Sequence, residues 1–222
     1  MIDNFLVKNS TNLASPTLGT RIYSYSDQFF AAASRILNDN EAIFKEGVFD
    51  NNGKWMDGWE TRRKRIPGND FIIIKLGKPG KIDDILIDTG FFNGNQPEFA
   101  TMEGCYTNKN PSKKTIWTKL LNKKKLHSDK KHIFASHSNK TVNFVRLNIF
   151  PDGGVARLRL FGNIDLSKEK LPKNIFDLAS VLAGSKIIAC SDEHFGRAEN
   201  LLSPGKSKNM GNGWETKRRR GP

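Results

Sequence analysis

The chain has 222 residues, of which 37% are hydrophobic and 27% charged, and it carries a formal net charge of +13. That length amounts to about one and a half ordinary domains, and the composition excludes wholesale disorder. No apolar run approaches the roughly 18–20 residues of a membrane-spanning helix, and two cysteines, Cys105 and Cys190, are too few for a disulfide framework or a four-cysteine metal site.

In chain order, the pattern is rich in strands. Residues 21–26 form the first candidate. Residues 29–37 follow as one short helix, with Asp27 as its N-cap. Further strands are expected at 70–76, 82–88, 100–107, 115–121, 132–136, 143–150 and 155–161. Val145-Arg-Leu-Asn-Ile149 and Val155-Ala-Arg-Leu-Arg-Leu-Phe161 alternate with period two, the mark of a half-buried strand. Gly77-Lys-Pro-Gly80, Gly94-Asn-Gln-Pro97 and Pro151-Asp-Gly-Gly154 read as turns between them. Eight short strands with such punctuation and no βαβ rhythm predict an all-β protein, a β-sandwich of jelly-roll type.

An internal repeat sets the domain plan. Leu13-Ala-Ser15, Gly19, Ile22, Ser26-Asp27, Phe30, Ala33 and Leu37 recur at a constant offset as Leu178-Ala-Ser180, Gly184, Ile187, Ser191-Asp192, Phe195, Ala198 and Leu202. Gly58-Trp-Glu-Thr61 recurs as Gly213-Trp-Glu-Thr216, at a shorter offset, so the first copy has the longer intervening loop, residues 38–53. The expected organisation is a complete first repeat at 1–164, a polar linker at 165–175, and the N-terminal part of a second repeat at 176–222. The second copy lacks most of its strands, so it is expected to be poorly ordered beside the first. Residues Met1-Ile-Asp-Asn-Phe5 have neither the basic nor the apolar region of a signal peptide, and a reduced, cytoplasmic setting is expected.

Three blocks could carry chemistry. In Trp55-Met-Asp-Gly-Trp-Glu-Thr-Arg-Arg-Lys-Arg65, an extended chain places Glu60 and Arg62 on one face, either as a plain ion pair or as a grip on a ureido-type ligand. Asp88-Thr-Gly-Phe-Phe-Asn-Gly-Asn95 offers a carboxylate at a strand end and two amides in a tight loop, or simply turn chemistry. Pro151-Asp-Gly-Gly-Val-Ala-Arg-Leu-Arg159 puts Arg157 where a carboxylate could bind, or on the solvent side. His127, His132 and His137 lie five apart, which suits neither one helix face nor one strand face, so no metal site is expected. Gly77-Lys-Pro-Gly80 lacks the ending of a phosphate-binding loop. The excess charge is concentrated in lysines at 112–132 with Trp117 as the lone aromatic among them, and it reads as a solvated surface rather than a nucleic-acid footprint.

Taken together, Ser26-Asp-Gln-Phe-Phe30, Asp57-Gly-Trp-Glu-Thr-Arg-Arg63, Asp88-Thr-Gly-Phe-Phe-Asn-Gly-Asn95 and Phe150-Pro-Asp-Gly-Gly-Val-Ala-Arg-Leu-Arg159 resemble the allantoicase family in order and spacing. The resemblance implies a galactose-binding or discoidin-like jelly roll present as two tandem repeats. It also implies hydrolysis of allantoate to ureidoglycolate and urea, with a small-molecule substrate and, in full-length members, a homo-oligomer. No nucleic acid, membrane, metal or other cofactor is expected. From the chemistry of that reaction, and not from the family, Asp57, Glu60 or Asp88 could transfer protons, Arg62, Arg63 or Arg157 could receive the substrate carboxylate, and Asn93 and Asn95 could hold the ureido arms. Asn212 and Lys217 stand where the first copy has Asp57 and Arg62, so the two copies are not equal as sites. The competing expectation is a non-catalytic jelly-roll module that only binds a ligand.

Overall fold

The computed structural model of the chain describes residues 10–169 and 175–218. The signal-peptide reading of residues 1–5 therefore lies outside the described residues, as do most of the linker's C-terminal half and the last four residues.

The described residues hold twelve strands: β1 (Thr11–Asn12), β2 (Arg21–Tyr25), β3 (Phe49–Asp50), β4 (Gly53–Lys54), β5 (Trp59–Glu60), β6 (Asp70–Asp88), β7 (Phe99–Cys105), β8 (Thr118–Lys125), β9 (Lys131–Ala135), β10 (Val142–Phe150), β11 (Gly154–Val155) and β12 (Arg157–Ile164). All pairings are antiparallel. The first half of β6 pairs with β2 and β10, and β7 and β8 follow outward from β10. The second half of β6 pairs with β12 and β9, and β1 lies beyond β12. One strand thus belongs to both layers of the sandwich, and Ile72, Ile74, Val145 and Leu147 of the first layer share a single core with Ile85, Ile87, Leu158 and Leu160 of the second. This is the jelly-roll sandwich that the alternating segments predict.

The passage between the layers corrects the sequence reading of two strands separated by a turn. Gly77-Lys-Pro-Gly80 is the corner of one continuous 19-residue strand. Gly80 pairs with Val142 of β10 and with Ile164 of β12. A Cβ at Gly77 would lie 1.9 Å from the carbonyl oxygen of Leu18, so this glycine is needed for close backbone passage and not for a hairpin. Past the corner, β12 slips register between Phe161 and Gly162, opposite Asp84 and Ile82. The extra residue, Asp83, moves the buried set from Ile72, Ile74 and Leu76 to Ile85 and Ile87, keeping apolar side chains on the inner face.

The helix expected at 29–37 is reduced to one 3-10 segment, Ala33–Leu37. Ala31 is instead extended and bridged to Glu60, and the Gln28 side chain accepts from the Ala33 N–H at 3.0 Å. Asp27 does receive the Phe29 N–H, at 3.4 Å, but it accepts the more distant Arg62 N–H at 2.7 Å. Pairing with residues distant in sequence stands in place of the local helix.

Among the described residues of 175–218 there is no strand, only three 3-10 segments and one isolated bridge, Gly196 with Glu215. Val181 and Leu182 pack against the core of the first repeat.

Candidate functional site

Three elements converge beside β5, and each is fixed by a different feature of the sequence. Trp59 is wholly buried, and its indole N–H donates to the Asp27 carbonyl at 2.7 Å. The Asp27 carboxylate accepts the Arg62 backbone N–H at 2.7 Å and the guanidinium through Nε at 3.1 Å and Nη2 at 2.7 Å. Burial pushes the Asp27 carboxyl up, but the hydrogen bonds from Arg62 outweigh it, and the net position is below the usual carboxylate range. The Arg62 guanidinium also lies over the exposed Phe29 ring, at 5.2 Å. The expected Glu60–Arg62 pair is therefore not the one formed: the arginine turns to Asp27, where Nε and Nη2 converge on Oδ1, and to a ring.

The second copy repeats this framework. Trp214 donates to the Asp192 carbonyl at 2.7 Å, the Lys217 N–H reaches the Asp192 carboxylate at 3.3 Å, and Glu193 accepts from Ala198 as Gln28 does from Ala33. The bond that survives the Arg62-to-Lys217 change is the backbone one. The Asp and Trp of each block thus form a structural clamp.

Glu60 points elsewhere. Its backbone exchanges hydrogen bonds with Ala31, N–H to O at 3.1 and 3.2 Å, and it stands directly across from Gly154 of β11. Its Oε1 accepts from Asn95 Nδ2 at 2.8 Å. Burial raises the Glu60 carboxyl above its ordinary range; the Asn95 hydrogen bond opposes this, and the Asp50 charge on β3 reinforces it. Arg63 and Asn93 are exposed on the same two segments.

Asp57, Asp88 and Arg157 form a separate, interior group. Arg157 is 1% exposed, and its guanidinium donates to the carbonyls of Asn40, Arg35, Asp57, Ala156 and Glu41 and to Asp57 Oδ2 at 2.6 Å. Asp57 Oδ2 also accepts from the Ile43 N–H at 3.0 Å. Asp88 is 3% exposed and receives the Gly90 N–H at 2.8 Å. It lies in register with Arg157 on one side and Lys131 on the other. Burial raises its carboxyl, with Gly90, Lys131 and Arg157 opposing and Glu41 reinforcing. Phe92 packs against Gly58 and Gly154, one glycine from each of the flanking blocks.

Sequence reasoning missed Asp50, whose strand lies in the long loop peculiar to the first copy, and Asp152, which accepts the Lys64 N–H at 2.6 Å. The Pro-Asp-Gly-Gly spacing signalled only a turn. His132 is buried; its Nε2 accepts the His127 N–H at 2.9 Å, and Nδ1 faces the Ile87 carbonyl at 3.2 Å. Among the described residues no cluster of three or more His, Cys, Asp or Glu side chains is placed to hold a metal, and no helix is long and apolar enough to cross a membrane.

A family model described as "Allantoicase repeat" matches residues 11–165 and 176–222. A curated relative from Pseudomonas fluorescens, "Probable allantoicase", is 48% identical over 213 residues, covering 95% of this chain and 64% of its own length. The chain therefore spans a little under two thirds of the curated relatives it matches. A solved structure titled "Structure of allantoicase" is 34% identical with a TM-score of 0.83, covering 96% of this chain and 65% of that one. The C-terminal domain of a chitobiase from Bacteroides fragilis, 14% identical with a TM-score of 0.50, covers 71% of this chain and 99% of its own, a likeness of fold alone.

Proposed function

The chain belongs to the allantoicase family, and from that premise we propose that it serves the hydrolysis of allantoate to ureidoglycolate and urea, with Glu60 as the proton-transfer group. One observation carries the assignment: Glu60 is a half-buried carboxyl held above its ordinary titration range at the meeting point of β5, β11 and the 88–95 loop. A raised carboxyl keeps a proton available nearer neutral pH, as an acid–base group requires.

Allantoate has one carbon bearing a carboxylate and two ureido groups. Protonated Glu60 donates to the departing ureido nitrogen as its bond to carbon breaks, while the remaining ureido nitrogen supplies its lone pair. Water then adds to the carbon and returns a proton to Glu60, which balances allantoate and water against ureidoglycolate and urea. Arg63, three residues after Glu60, and Asn93, two residues before Asn95, are exposed and are the groups proposed to meet the substrate carboxylate and a ureido arm. Arg62 contributes through the guanidinium edge that remains after its contact with Asp27. Asp57, Asp88 and Arg157 are proposed to hold the surrounding loops and not to touch substrate. The cytoplasmic setting and the division into repeats at 1–164 and 176–222 belong to the same proposal.

The test is urea release from allantoate by the purified chain and by Glu60→Gln. The expected result is turnover that falls at least about a hundredfold in the variant. An unchanged rate in Glu60→Gln removes Glu60 from the chemistry. Binding of allantoate without urea release by folded wild-type protein replaces the hydrolase reading with a binding module.

A further inference from the structure

We propose that Asn95 is a positioning residue that dictates which oxygen of Glu60 carries the proton. The inference rests on the reading of Glu60 as the acid–base group. An amide nitrogen can only donate, so Asn95 Nδ2 occupies a lone pair of Oε1 at 2.8 Å and excludes a proton from that oxygen in this direction. A proton on Glu60 then resides on Oε2, the oxygen left for the reacting molecule.

The contact is set from both sides. The Asn95 carbonyl accepts the Gly154 N–H at 2.8 Å, and Gly154 is the cross-strand partner of Glu60. The loop is pressed onto the neighbouring residue: a Cβ on Gly153 would lie 2.7 Å from the Asn95 carbonyl oxygen and 2.7 Å from the Pro97 nitrogen. The Gln96 side chain accepts from the Gly94 N–H at 2.8 Å, closing the turn before Asn95. On the other side, Glu60 is held by its paired hydrogen bonds to Ala31. Backbone contacts thus fix both main chains at a separation the two side chains bridge with one hydrogen bond. The amide carries two N–H donors, and the one that meets Glu60 is taken up by the carboxylate, which orients it.

The deciding experiment titrates the Glu60 side-chain carboxyl by carbon-13 NMR in the wild type, Asn95→Ala and the isosteric Asn95→Asp, with thermal melting as a check on folding. Loss of the donor in Asn95→Ala is expected to move the Glu60 titration to higher pH, and the second carboxylate in Asn95→Asp to move it further. In turnover, kcat is expected to fall between about tenfold and a hundredfold with KM within about twofold. The limb of the pH profile governed by Glu60 should shift upward with the titration. An unmoved Glu60 titration in either folded variant overturns the proposal, as does a raised KM with kcat preserved. If the wild type releases no urea while the titration shifts as described, the reaction assignment fails and the Asn95–Glu60 coupling stands.

Discussion

Two arginines that look alike in the sequence have opposite fates. Arg62 keeps most of its side chain in solvent and pairs with Asp27, whereas Arg157 is buried and satisfies five backbone carbonyls, together with the Asp57 carboxylate. Period-two alternation assigns a strand position to a face, but it does not say whether that face meets water or a loop folded over it. The loop over Arg157 is residues 35–41, far away in sequence, so its burial was not legible. A fork of five donors is what this interior requires, and a lysine offers one point charge on three donors. Arg157→Lys is therefore expected to lower stability by about 3 kcal/mol in guanidinium unfolding. Arg63→Lys, on the surface, should stay within about 0.5 kcal/mol. If Arg157→Lys left stability intact but raised KM, Arg157 would have to be returned to the substrate.

At the scale of elements, the glycines were the hardest signal to read. Gly77 and Gly80 spell a turn by composition, yet they let β6 run on through a corner where the strand changes partners. The blocks around Gly58 and Gly154 were legible as important, because they recur or cluster with charged residues. The reason for Gly154 lies in Phe92 and that for Gly58 in the backbone of Val155 and Ala156, which no local pattern connects to them. A Cβ at Gly154 would meet the Phe92 ring at 1.9 Å, and one at Gly58 would meet the Val155 carbonyl oxygen at 2.5 Å. The Phe92 ring thus seats the 88–95 loop against β11, which holds Asn95 beside Glu60. Gly154→Ala is expected to destabilise the protein by about 1–3 kcal/mol through overpacking. In a Phe92→Ala background, where the ring is gone, the same change should cost almost nothing. Unfolding of all four members of this cycle gives the coupling directly, and additive penalties would show that the clash is relieved elsewhere.

Over the whole molecule, the repeat separates what a short motif can fix from what requires a sandwich. The Asp–Trp clamp closes in both copies with the same 2.7 Å indole hydrogen bond. Burial does not follow: Trp59 is 0% exposed and Trp214 40%, while Leu13 is 0% and its counterpart Leu178 is 74%. Local hydrogen bonds therefore reproduce the motif, but only the stacked layers of β6, β10 and β12 remove its apolar side chains from water. That difference was legible in outline, since the repeat is plain in the sequence and residues 176–222 hold no alternating strand-like segment; the docking of Val181 and Leu182 onto the first core was not. Apolar side chains left in solvent contribute little to holding a segment closed, so local opening should be frequent in the second copy and rare in the sheets. Limited chymotrypsin digestion is expected to cut first after Phe195, Leu201 or Trp214, which are 59%, 60% and 40% exposed. The first repeat, together with the docked residues 181–182, should accumulate as a resistant fragment, identified by its mass. Cleavage inside β6–β12 at the same rate, or persistence of a fragment extending well beyond residue 200, would mean that the second copy is as firmly held as the first.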